Sequence, residues 1–93
     1  MLKIEVDTQA GNKALMDGTL PKIIQQVMDR AKPEATYYGT EGGCRTAFVF
    51  FDLADSSDIP AVAEPAFQQL GAKVTLTPVM NDEDLQRGLS QLR

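Results

Sequence analysis

Leu2, Ile4 and Val6 alternate with Lys3, Glu5 and Asp7, and this period of two predicts a first strand with one apolar face. The period then lengthens. Leu20, Ile23, Ile24, Val27, Met28 and Ala31 fall at offsets 0, 3, 4, 7, 8 and 11, the single stripe of an amphipathic helix. Thr19 is placed to cap that helix, Pro21 sits near its first turn, and Pro33 ends it. Residues 10–17 ahead of it read as a helical turn or two, kinked at Gly18 and Pro21. Residues 35–40 and 45–53 are rich in aromatic, Thr and Val side chains and are joined by a glycine-containing link, which predicts a hairpin. Ile59, Val62, Ala63, Ala66, Phe67 and Leu70 then repeat the helical offsets of the first stripe. Ser57 is expected to cap this second helix and Gly71 to close it, while Pro65 predicts a kink or break near Glu64. Residues 73–79 predict a fourth strand. Asn81 caps a last helix, with Asp84 at the capping-box position, Met80 and Leu85 as a hydrophobic staple, and Leu85, Leu89 and Leu92 as its apolar stripe.

The predicted order is β-α-β-β-α-β with an extra C-terminal helix in a single domain spanning residues 1–93. This is the ferredoxin-like pattern of the α+β class, an antiparallel sheet with both main helices on one face. The third strand complicates that picture. Ala47, Val49, Phe51 and Leu53 point one way along it, and Phe48 and Phe50 the other. Both faces of the sheet are therefore apolar, and only one can lie under the helices. A chain of 93 residues buries only ~65% of its unfolded surface, and one cysteine makes no internal disulfide. A second copy, paired face to face as a homodimer, is the economical cover for the other face.

Charge narrows the partners. The chain carries a net charge of −4, with its nine Lys and Arg scattered, which disfavours nucleic acid. Lys3, Glu5 and Asp7 interrupt any apolar signal-peptide core. The longest apolar run, 47–51, is too short to cross a bilayer, so no membrane association is expected. A cytoplasmic location follows as the expectation, and a lone free thiol agrees with it.

The segments "DGTLP", "KPEATYY", "TAFVFFDLADSSDIPAVAEPAFQQLGAKV" and "TPVMNDEDLQRGL" resemble the dimeric α/β-barrel superfamily, and within it a group of small bacterial proteins of unknown function. The resemblance covers nearly the whole chain and implies ferredoxin-like protomers paired sheet to sheet around a cavity. It also implies a range of activities: cofactor-independent monooxygenases, lactone isomerases, polyketide cyclases, haem-degrading enzymes and ligand binders. Several of those enzymes rely on histidine as base or haem ligand, and this chain has none, which counts against haem chemistry and histidine-based cyclisation.

Most of the apparent chemistry has a structural reading. Gly39, Gly42 and Gly43 lead into a strand and not into a helix N-terminus, so they suit a hairpin link with positive φ and not a phosphate cradle. Cys44 sits beside Arg45 but has no histidine to activate it and no second thiolate to share zinc. Asp52, Asp55 and Asp58 lack the glycine and distal Glu of a calcium loop and read as turn and cap residues, so no metal and no cofactor are expected. A cavity remains. If Leu2, Ile4 and Val6 face the helices, then Lys3, Glu5 and Asp7 face the other way. Phe48, Phe50 and Asp52 join them, together with Thr75, Thr77 and Val79 and one of Tyr37 and Tyr38. Such a wall suits a small apolar or aromatic molecule held between sheet and partner. A second reading is a cofactor-independent monooxygenase or isomerase acting on an aromatic or polyketide-like substrate. It would use Tyr37 or Tyr38 with Glu5, Asp7 or Arg45, a buried Glu5 or Asp7 acting as base. A third reading is an interaction protein with no ligand.

Overall fold

The computed structural model describes residues 1–92. The chain runs β1 (Leu2–Val6), α1 (Thr8–Asp17), α2 (Thr19–Ala31), β2 (Ala35–Glu41), β3 (Cys44–Phe50), a 3-10 turn (Ser56–Asp58), α3 (Ile59–Leu70), β4 (Lys73–Leu76) and α4 (Asp82–Ser90). The four strands form one sheet in the order β2-β3-β1-β4, and every neighbouring pair is antiparallel. This α+β arrangement is compatible with the ferredoxin-like pattern. No helix among the described residues is long and apolar enough to cross a membrane.

The register sorts the side chains between the two faces. Leu2 lies opposite Val49 and Leu76, and Ile4 opposite Ala47 and Val74. Directly opposed residues share a face. That face packs on Leu20, Ile23 and Val27 of α2 and on Val62, Ala66 and Leu70 of α3. Leu2, Ile23, Val27 and Val49 are the largest fully buried side chains, so the core is centred between β1, β3 and α2.

Local chemistry explains where the elements differ from expectation. Residues 8–17 form a full helix because the Asp7 carboxylate accepts from the Ala10 N–H at 3.2 Å and caps it. Gly18, at φ 81°, is left-handed and separates α1 from α2. The cap of α2 is thus Gly18 and not Thr19, which is already helical; its hydroxyl donates to Asp17 at 2.7 Å. Ser57 is not a cap either. Its N–H donates to Asp55 Oδ1 at 2.9 Å, closing the 3-10 turn, and α3 starts two residues later with Pro60 in its first turn.

α3 also runs unbroken through Pro65. An interior proline costs about 3 kcal/mol. Burying Val62 and Leu70 on either side contributes about 1.5–3 kcal/mol each, which offsets it. The regular pairing of β4 stops at Leu76, short of the expected Val79, because Pro78 has no N–H for the ladder. One further pair follows, with the Thr77 N–H donating to the Met1 carbonyl at 2.8 Å and the Met1 ammonium to the Thr77 carbonyl at 2.6 Å. The β2–β3 link is a two-residue turn, Gly42 and Gly43, with φ of 60° and 80°. Two successive positive φ values make this the mirror-image hairpin turn that glycine permits.

α4 has the Asn81–Asp84 capping box and the Asp84–Arg87 ion pair, yet none of its residues is buried. With α4, the molecule measures 54 × 27 × 17 Å.

Candidate functional site

The sheet divides the candidate residues between two environments. Lys3, Glu5, Tyr37, Phe48, Phe50 and Thr75 share the face turned away from the helices, since Lys3 opposes both Phe48 and Thr75, and Tyr37 opposes Phe48. The Tyr37 and Phe50 rings meet edge to face, 6.3 Å apart at 77°. Lys3 Nζ lies 3.1 Å from Glu41 and 4.0 Å from Glu5, and Lys73 Nζ lies 3.9 Å from Glu5. Glu5 Oε2 is buried there without a hydrogen bond. Opposite it, Thr46 is buried and its hydroxyl donates to the Cys44 carbonyl at 3.0 Å.

Asp7 is not on that face, because it is committed to capping α1. Thr77 lies beyond β4, exposed and held by its backbone pair with Met1; Asp52 and Val79 are exposed as well. Cys44 is a half-buried free thiol. Among the described residues no group of three or more His, Cys, Asp or Glu gathers to hold a metal ion. Asp55 closes the 3-10 turn instead, and the Ser57 backbone N–H holds its carboxyl below the usual carboxylate range.

Tyr38 and Arg45 lie on the helix face, and so does a cavity of about 220 Å³. Ile4, Val6 and Ala47 floor it, Ile23, Val27 and Met28 of α2 roof it, and Ala66 and Leu70 of α3 close its far side. Its surface is almost wholly apolar. Tyr38 is 62% exposed and Gly39 is exposed too, which places the mouth at the β2 edge.

Arg45 contributes to the wall of this cavity and then runs over α1. Its Nη2 donates to Asn12 Oδ1 at 2.9 Å. A Cβ on Gly11 would come within 3.0 Å of Arg45 Nη1 and 3.2 Å of Val6 Cγ1, so glycine leaves the guanidinium room that a larger residue would narrow. Among the described residues no carboxylate lies within 4.0 Å of it. Sequence reasoning named Arg45 as a neighbour of Cys44 and as a candidate site residue, without assigning it to a face of the sheet. The period-two run Arg45, Ala47, Val49 is the signal that places it with the helix-facing residues.

Comparison with protein-family models, curated proteins and solved structures finds no match for this chain.

Proposed function

We propose that this protein binds a small apolar or aromatic molecule in the cavity between α2 and the sheet. The observation that carries the reading is the cavity itself. At about 220 Å³ it is larger than the ~150 Å³ apolar cavity that admits benzene. Its walls are almost wholly apolar, and the polar residues along them, Tyr38, Arg45 and Thr46, stand on the paired strands β2 and β3. On this reading the guest lies between sheet and helices, and not between sheet and partner. The same geometry favours binding over monooxygenase or isomerase chemistry: no carboxylate among the described residues lines the cavity, and Glu5 is on the opposite face. Methyl-resolved NMR with benzene as the probe tests it. Shifts are expected at Ile23, Val27, Ala66 and Leu70. No shift at saturating benzene, or shifts confined to residues around Phe48 and Phe50, would remove the cavity as the site.

A second reading concerns the open sheet face, which pairs with a second copy in the manner of the dimeric α/β-barrel superfamily that the chain resembles. The observation favouring it is an aromatic face on which Tyr37 is 65% exposed, beside Phe48, Phe50 and a buried Glu5 oxygen that accepts no hydrogen bond among the described residues. Sedimentation equilibrium at micromolar concentration is expected to give a dimer mass, and a monomer mass would sink it.

A further inference from the structure

Given that the cavity holds an apolar guest, we infer that the guest carries a carboxylate. The ligand is an alkyl or aryl monocarboxylate whose body lies under α2 and whose head is held by the Arg45 guanidinium, with the Tyr38 hydroxyl beside it. Three observations converge on this. The cavity offers an apolar body almost nothing polar along its walls. Arg45 is half-buried and permanently charged, and among the described residues one of its five N–H donors is engaged, by a neutral amide oxygen. Among the described residues no carboxylate lies within 4.0 Å of the guanidinium, and a carboxylate is the partner whose geometry its fork matches.

Tyr38 supplies the second donor. Tyr38 opposes Ala47, and Arg45 is two residues from Ala47 on the same face, so Tyr38 and Arg45 are diagonal neighbours. Diagonal pairs lie ~7–8 Å apart at the backbone, within reach of two long side chains converging on one small group. The Tyr38 hydroxyl makes no hydrogen bond to the described residues, so it is available to a ligand. A monoanion is favoured over a phosphate dianion because among the described residues no Lys and no second Arg lines the cavity, while the chain as a whole carries −4. The cavity volume, set against that of a benzene-sized site, suits a body of about eight carbon atoms.

Isothermal titration of the full chain at neutral pH with sodium octanoate and with octan-1-ol tests this, the two probes sharing a chain and differing in the head. Octanoate is expected to bind about tenfold tighter or better, the range of a charge-assisted hydrogen bond. Arg45→Met keeps the apolar stem and removes the charge. It should abolish that preference, bringing the affinities for the two probes within about twofold of each other. Equal binding of the two probes to the unmodified protein would overturn the carboxylate and leave the cavity reading standing. Binding of neither would remove both. The comparison in the unmodified protein decides the matter even where the Arg45 variant does not fold. Tyr38→Phe, at an exposed position, gives a second check, with a few-fold loss expected for octanoate alone.

Discussion

Asp17 and Thr19 hold the corner between α1 and α2 together. The Thr19 hydroxyl and its N–H both donate to Asp17 Oδ1, at 2.7 and 3.0 Å, around the left-handed Gly18. Those two donors, the hydroxyl foremost, hold the Asp17 carboxyl below its ordinary value. A carboxyl depressed in the folded state contributes stability that is present above its unfolded value, ~3.9, and is lost as pH falls through the lower folded one. Acid should therefore loosen this corner below about pH 4. The expected result is that urea midpoints of Asp17→Asn fall less steeply with acid than those of the unmodified chain. Parallel slopes would show that the corner is held by something else. Gly11 illustrates the opposite kind of residue, important for what it lacks: its missing Cβ leaves the room that Arg45 occupies. Nothing in a one-dimensional pattern marks such a position, because the neighbour it accommodates is 34 residues away in the chain.

Elements were legible in kind more than in extent. Stripes at helical offsets and alternation at period two identified α2, α3, β1 and β3, because burial on one side imposes those periods. Boundaries depended on competition between single interactions. Asp55 outcompetes Ser57 for the turn before α3, and Pro78 ends a strand that its neighbours would have prolonged. α4 is a third case. Its capping box was legible in Asn81 and Asp84, while the exposure of its apolar stripe was not: Leu85 and Leu89 are 39% and 49% exposed. A helix held by its caps and the Asp84–Arg87 pair loses little when exposed leucines are replaced. Leu85→Ser combined with Leu89→Ser should change unfolding free energy in dilute solution by no more than about 0.5 kcal/mol per site. A loss of several times that in chemical denaturation would mean that α4 docks on the sheet.

For the whole molecule, the decisive quantity is which residues share a side of the sheet. Apolarity on both faces of β3 was legible in Phe48 and Phe50 against Ala47 and Val49. Which tyrosine belongs to which face was not, because a shift of one residue in the hairpin exchanges them. The two-residue turn at Gly42 and Gly43 pairs Glu41 with Cys44, and so sets Tyr38 opposite Ala47 and Tyr37 opposite Phe48. The cavity was beyond reach of sequence reasoning for another reason: it exists because small side chains, Ala47 and Ala66, bound the same space from different layers. That space also has a mechanical meaning. A fold that leaves about 220 Å³ poorly filled occupies more volume than its atoms require, and unfolding releases that volume to solvent. Compression thus acts against this fold in part at the gap beneath α2, and whatever fills that gap changes how the molecule bears load.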